Sequence, residues 1–447
     1  MRHDNPLRLA GLLLLFAQLL ACTTETQDVA VQVSITDIVG RLQSDDLETR
    51  KAAVMDLESM AESGLNRSDA LLALDAATRS FPPLELEWQS ASAELVRAAG
   101  TSDDPALARL VAERFSKYPP LAKEEALLLL SGIDSVESTD LFVRLALEEA
   151  KNPTGVSQLL TRGFEDAPRD ADRLFPALFA AMERSELRWG VAYLALKYFQ
   201  EGELEQGALD AEYAAIHAPL VDLLQRAKRL EGSDDDWLWT DEYQEVRGLA
   251  GLLLDLGGYF ETDDSLRDMA MGLESTDPRL KYFAARSLMS VGRDVSDAAL
   301  HDIAAASETR NFLFDYLDET NRRQRFPKEF LTQEAFAESE MVAWLIYPTE
   351  LGRAPHEIEL LRTVEARLGG DDMLYYVFKF QTHPPHWAAE DGWMLGVAGP
   401  FLARIAPSTA AYGETFSTFA KLDETDVDAY VDEIRSLVRD AREEQSD

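Results

Sequence analysis

The sequence predicts a mainly α-helical protein, an α-solenoid followed by a small α+β domain at the C-terminal end. From Ser34 to about Ser307, apolar residues recur at spacings of three and four, with breaks at Gly, Pro or Asp, as in a series of amphipathic helices. After about Asn311 the pattern changes to short runs rich in aromatic and β-branched residues, separated by prolines and glycines. Such runs are typical of strands.

A cassette of four positions recurs in the helical part: a capping residue, a residue four later, a small residue seven later and a leucine eleven later. The clearest copies are Asp46, Arg50, Ala53, Leu57 and Asp277, Lys281, Ala284, Leu288, and looser copies begin at Leu84, Pro119, Ser185 and Asp241. Starts at 46, 84 and 119 lie 38 and 35 residues apart, and starts at 241 and 277 lie 36 apart. This period predicts helix-pair repeats, in which alanine allows close helix approach, leucine fills the core and Asp caps the second helix.

The segment from Leu273 to Gly292, with Asp277-Pro278 and Ala284-Ala285, resembles a HEAT repeat. The resemblance implies a HEAT-like array over residues 34–310. A generic helical bundle is the alternative. Such arrays typically use an extended surface to bind other proteins.

The C-terminal region, residues 311–447, is predicted to hold three strands and two helices. The strands are predicted at Met341 to Tyr347, Leu374 to Gln381 and Trp393 to Val397. One helix is predicted at Pro355 to Leu368, because Ile358, Leu361, Val364 and Leu368 would lie on one helical face, and the other at about Thr425 to Glu444. This order predicts a small α+β domain.

The N-terminus carries Arg2 and Arg8 before an apolar run that ends in Leu19-Leu20-Ala21-Cys22, and Cys22 is the only cysteine of the chain. The pattern resembles the lipobox of bacterial lipoproteins; the alternatives are an ordinary cleaved signal peptide with a cysteine nearby by chance and an uncleaved amphipathic segment. The resemblance implies a signal peptide over residues 1–21, acylation of Cys22 and a flexible tether over 22–33. It also implies a cell-envelope protein attached to the membrane by its N-terminal lipid, in the outer membrane because Thr23 rather than Asp follows the cysteine.

Charge limits the partners that this chain can bind. With 81 acidic and 43 basic residues, the formal net charge is -38, which repels phosphate backbones and excludes nucleic acid as a predicted partner. One basic cluster, Asn321 to Lys328, is predicted to neutralise the protein's own acids across the seam between the array and the terminal domain; contact with an anionic lipid headgroup or a peptidoglycan acid is the alternative.

The densest group of chemically capable side chains is His383, His386, Trp387, Asp391 and Trp393. Imidazoles and carboxylates move protons, and indoles stack on flat or sugar-like ligands, so these residues are the candidate ligand or partner site, although a structural loop with its rings packed on the sheet is the favoured interpretation. The two histidines alone do not predict a metal site.

A second loop, Asp234 to Glu242, combines acids with Trp237 and Trp239 but lacks the spacing of a calcium loop. Two tryptophans packed on the core are the favoured interpretation.

Recognised catalytic motifs are missing from the sequence, which contains no Gly-x-Ser-x-Gly and no His-Glu-x-x-His. No cofactor and no metal are predicted, and catalysis is left open but not favoured. The predicted function is that of a lipid-anchored, periplasmic-side scaffold that binds a protein partner through the repeats. The alternative is a hydrolase or carbohydrate-binding module around His383 to Trp393.

Replacement of Cys22 by Ser tests the anchor. We expect the variant to lose acylation and to appear uncleaved or free of the membrane, because the thiol is the acyl acceptor. Fractionation combined with acyl-chain labelling measures both effects. Unchanged labelling and membrane retention would contradict the lipoprotein assignment.

Overall fold

The computed structural model describes residues 33–86, 89–102, 104–149, 163–164, 170–182, 185–232, 235–346, 352–368, 371–381, 393–403, 419–422 and 426–444. Over these residues the chain forms seventeen α-helices and one antiparallel sheet. The predicted fold class, a mainly α protein with a helical solenoid and a small α+β domain, is confirmed. Cys22 and the preceding segment lie outside the described residues.

The first fifteen helices build the solenoid. In chain order they are α1 (Ile35–Leu42), α2 (Leu47–Glu62), α3 (Arg67–Ala76), α4 (Ala91–Ala99), α5 (Leu107–Arg114), α6 (Pro120–Gly132), α7 (Val136–Glu149), α8 (Ala171–Ala180), α9 (Ser185–Glu201), α10 (Ala214–Leu230), α11 (Asp241–Gly257), α12 (Asp263–Leu273), α13 (Pro278–Ser290), α14 (Asp297–Ala305) and α15 (Ser307–Glu319).

These helices pack in two layers. The first layer contains α1, α3, α5, α7, α8, α10, α12 and α14, and the second contains α2, α4, α6, α9, α11, α13 and α15. The seven second-layer helices each pack on the helix that precedes them in the chain, and α2 to α6 and α9 to α15 also pack on the next helix of their own layer. Each unit therefore buries its apolar face against its neighbours, as the repeat period predicts.

The recurring cassette corresponds to helices of the second layer. Asp46 and Asp277 cap α2 and α13, accepting hydrogen bonds from backbone N–H groups at 2.9 and 2.8 Å. Ala53 and Ala284 are fully buried. The copy that begins at Leu84 is offset, because Ser90 is the true cap of α4.

A buried arginine joins successive units at two points of the array. Arg50 donates to two carbonyls in the loop before its own helix, at 2.8 and 3.0 Å, and to the Pro83 carbonyl of the next unit at 2.8 Å. Arg310 does the same, with two carbonyls before α15 and the Ala335 carbonyl at 2.7 Å beyond it. Each guanidinium thus binds backbone carbonyls of two successive units, and Arg310 in addition satisfies two carbonyls at the C-terminal end of α14.

The sheet follows the solenoid and is covered on both faces. Its order is β1 (Glu357–Leu368), β2 (Asp371–Gln381), β3 (Trp393–Leu402) and β4 (Phe419–Lys421), and every neighbouring pair is antiparallel. Helix α16 (Gln333–Ile346) packs its apolar side chains on one face, and α17 (Val427–Glu444) packs on the other.

The helix predicted from Pro355 to Leu368 is wrong, since these residues contain β1. Its apparently helical spacing comes from a β-bulge between Leu360 and Arg362. The extra residue reverses which side chains face each side of the sheet. Ile358 and Leu360 therefore pack towards α16, whereas Val364 packs towards α17.

The strand predicted from Met341 to Tyr347 is also wrong, because residues up to Ile346 form the end of α16. Ala337, Met341 and Leu345 recur every four residues along the buried side of that helix. The predicted strands at 374–381 and 393–397 lie within β2 and β3, and the predicted terminal helix contains α17, so these three predictions are confirmed.

Ala284→Leu tests the close approach of α12 and α13. Ala284 is fully buried, and a Cβ placed on Gly272 of α12 would lie 3.1 Å from its Cβ. We expect overpacking to lower the free energy of unfolding by roughly 1 to 3 kcal/mol. Chemical denaturation should compare it with Glu48→Gln on exposed α2 surface, expected to change stability by less than about 0.5 kcal/mol. Equal effects would mean that position 284 is not a packing contact.

Candidate functional site

Most residues of the predicted C-terminal site lie outside the described residues: His383, His386, Trp387 and Asp391. Trp393 is described and begins β3, half-buried and opposite Gln381 of β2. The Nζ atom of Lys379 lies 4.7 Å from the centre of its indole ring and also pairs with Glu359 at 2.6 Å. Trp393 thus contributes to packing at the start of an inner strand of the sheet.

The two tryptophans of the second predicted loop, Trp237 and Trp239, make packing contacts. Trp237 packs edge-on against Tyr243, with ring centres 4.5 Å apart, and Trp239 lies over the guanidinium of Arg247 at 5.5 Å. The interpretation that the tryptophans pack on the core is confirmed for Trp237, whereas Trp239 packs on the guanidinium of Arg247. Within the described chain, no cluster of three or more potential metal ligands is found.

The basic cluster pairs with the protein's own acids, as predicted. Arg325 binds Asp294 at 2.7 Å and Asp297 at 2.8 Å, and Arg323 lies 3.8 Å from Asp318. All three acids belong to the helical array. These ion pairs therefore lie within the array and do not cross the predicted seam.

The strongest candidate site is a groove of about 430 Å³ between three consecutive second-layer helices, α11, α13 and α15. We call it the arginine groove. It is lined by Gln244, Arg247, Gly248, Arg279, Tyr282, Phe283, Arg286 and Phe312. A larger cavity of about 550 Å³, next to α4 and α6, is lined mostly by interhelical turns and has no aromatic residue. Because binding sites combine apolar surface with a few polar groups, the arginine groove is the better candidate.

Aromatic rings form the apolar part of the groove. The ring centres of Tyr282 and Phe312 lie 6.0 Å apart, and the Phe312 side chain is 47% exposed. Gly248 adds open space, since a Cβ at this position would meet no atom within 4 Å. Glycine at an exposed position inside a helix lowers helix stability by up to about 1 kcal/mol relative to alanine, so the open space at Gly248 comes with a loss of stability.

A buried ion network lies beside the groove. Arg247 is 3% exposed and bridges two carboxylates, with Nη2 at 2.9 Å from Oδ1 of Asp277 and at 2.6 Å from Oε1 of Glu308. Tyr243 donates its hydroxyl hydrogen to the other oxygen of Asp277 at 2.8 Å. These contacts connect α11, the cap of α13 and the first turn of α15.

The network sets the charge states of its members. Burial favours the neutral form of Arg247, but the charges of Glu308 and Asp277 outweigh it and raise the pKa of the guanidinium above its ordinary value. Burial, together with the charge of Asp277, also raises the pKa of Tyr243, so its hydroxyl stays a hydrogen-bond donor. Arg247 is therefore a permanent cation held under the groove.

Two further arginines reach the surface of the groove from one face of α13. The side chains of Arg279 and Arg286 are 29% and 27% exposed, whereas their carboxylate partners, Glu308 and Asp255, are much more deeply buried. Because the anions lie beneath and the cations above, the groove presents positive charge to solvent in a strongly acidic protein.

The chemistry of the lining is suited to binding. None of the eight lining residues is a Ser, Cys, His, Asp or Glu, and the pKa of the one phenol, Tyr282, is raised by burial, which keeps its hydroxyl protonated. Arginines beside exposed aromatic rings are the residue types that anchor protein interfaces.

Sequence reasoning missed this groove, although one signal was present. Arg247 falls on the buried stripe of α11, between Tyr243 and Ala250, where a charge requires a partner. Comparison of the chain with protein-family models, curated proteins and solved structures finds no match.

Asp277→Asn tests the importance of the buried network. Asn keeps the shape and the capping ability of the residue but removes the charge that faces Arg247. We expect unfolding free energy to fall by about 3 kcal/mol or more, as for other buried pairs that lose one partner. The matched control is Glu137→Gln, which breaks an exposed pair with Arg109 and should leave stability close to that of the wild type. Similar denaturation midpoints for both variants would contradict a buried, coupled network.

Proposed function

We propose that this protein is a lipid-anchored scaffold of the cell envelope that binds a partner protein on the second layer of its helical array. The arginine groove is the observation on which the proposal mainly rests. It combines exposed aromatic surface with outward-facing cations, and its lining contains no Ser, Cys, His, Asp or Glu. A scaffold with this surface works by holding another molecule in place.

The distribution of exposed aromatic residues supports the choice of the second layer. Trp189 on α9 is 43% exposed and stacks on Tyr193, with ring centres 5.0 Å apart and planes 10° from parallel. Phe312 on α15 belongs to the same layer. Large aromatic side chains left accessible on a repeat array are typical anchors for a protein partner.

The anchoring part of the proposal comes from the sequence around Cys22. Among the described helices, none has the length and hydropathy needed to span a bilayer. A lipid on Cys22 would attach the array to the membrane, in the outer membrane of the envelope according to the residue that follows the cysteine. The chain has a formal net charge of -38, so its acidic surface would be repelled from anionic headgroups.

Site-specific photo-cross-linking tests partner binding. A benzophenone amino acid placed at position 312 of the full-length protein in its native cells should give a discrete cross-linked adduct. The same probe at Leu72, an exposed residue on α3 of the first layer, is the control and should give none. Equal adducts at both positions would contradict a binding surface on the second layer.

A second pair of variants makes the test specific for the groove. Gly248→Met should fill the groove and remove the adduct at position 312. It should not unfold the protein, because the glycine is exposed within a helix and faces open space. Gly40→Met makes the same change at an exposed, open glycine of α1 and should leave the adduct unchanged. An adduct that persists in Gly248→Met would place the partner elsewhere.

A further inference from the structure

We propose that the arginine groove recognises a carboxylate that lies next to a large apolar side chain in a segment of the partner protein. The inference rests on the proposed function and names the chemistry that the partner must supply.

In the groove, the arginine side chains lie closer to solvent than the carboxylates that pair with them. Arg279 and Arg286 lie seven residues apart on α13, so both project from the same face of the helix. Their counter-charges, Glu308 and Asp255, lie deeper in the protein. An anion that approaches from solvent therefore meets guanidinium groups first.

Of the three arginines in the groove, Arg279 has the weakest ion pair with a carboxylate. Its Nε atom lies 3.3 Å from Oε2 of Glu308, but that buried oxygen has no hydrogen bond. The other oxygen of Glu308 is already bound to Arg247 at 2.6 Å. Burial lowers the pKa of Arg279, and the charge of Arg247 adds to this effect, although Glu308 opposes it. A carboxylate of the partner would give Arg279 the hydrogen-bonded anion that Glu308 does not provide. The planar guanidinium group can bind a planar carboxylate through two parallel hydrogen bonds.

The positive charge of the arginines alone would not hold an anionic ligand in the groove. The protein as a whole is acidic, so long-range forces oppose an anion, and salt screens the local attraction. Tyr282 and Phe312 provide apolar surface next to the arginines, and Gly248 leaves room beside them. The volume of about 430 Å³ suits one or two side chains of an extended segment.

Two matched peptides test the inference directly. Acetyl-Ala-Asp-Phe-Ala-amide and its counterpart with Asn in place of Asp differ only in the charge of one side chain. Calorimetric titration of the full-length protein should show binding at least tenfold tighter for the Asp peptide. Equal affinities would overturn carboxylate recognition. Displacement of the Asp peptide by inorganic phosphate at tenfold excess would also overturn it, since the groove would then recognise anions in general.

Variants assign the two parts of the recognition. Arg279→Gln should abolish the preference for Asp over Asn, whereas Phe312→Ala should weaken both peptides by the same factor. Leu72→Ala, at an exposed apolar residue of the first layer, is the control and should change neither affinity. A preference that survives Arg279→Gln would overturn the inference.

If Arg279→Gln fails to fold, Gln244→Glu gives an independent test. This variant places a carboxylate on the groove wall and should reduce the Asp preference by repulsion. An unchanged preference would overturn the inference.

The peptide and cross-linking results can fail separately. If neither peptide binds while position 312 still gives its adduct, the carboxylate inference fails and the proposed function stands. If the Asp peptide binds but no adduct forms, the groove chemistry is correct and the proposed scaffold function fails.

Discussion

The buried carboxylate of Asp277 holds together three consecutive helices of the second layer. It caps α13 through the Arg279 backbone, accepts the hydroxyl of Tyr243 on α11 and faces Arg247, which in turn binds Glu308 on α15. A buried charge without these partners would be strongly destabilising. The helices therefore cannot slide past one another without breaking an ion pair, and this fixed register determines the spacing of the groove that they enclose.

Much of the solenoid could be predicted from sequence because its construction is local. A small residue followed four positions later by leucine marks a helix that approaches a neighbour closely, and Asp46 and Asp277 mark its start. The sheet was harder to predict from the sequence, because a single bulged residue near Leu361 changes which face of β1 each side chain occupies. That change produces a helical spacing in an extended chain. Only the register of the pairing with β2, the next strand along the chain, resolves the ambiguity.

The candidate site could not be predicted for a related reason. Its residues come from three helices, and Arg247 and Glu308 lie 61 positions apart in the chain. The cassette identified each helix by its apolar positions and so passed over the polar residue beside Gly248. A charge on an apolar stripe indicates a buried partner, but the identity of that partner depends on how the units stack. The loop site could be proposed from the sequence because its histidines and tryptophans are close together in the chain, whereas the groove residues come together only on folding.

Helix α16 belongs to two apolar cores at once. Phe336, near its start, packs with Phe314 and Phe326 in the last core of the array, whereas Met341 and Leu345 pack under the sheet. A repeat array must end in a unit that covers the open apolar face of its last helices. The sheet, through α16, is that cover. Loss of the sheet would leave half of α16 exposed, and the array would then begin to fray from the end nearest the groove.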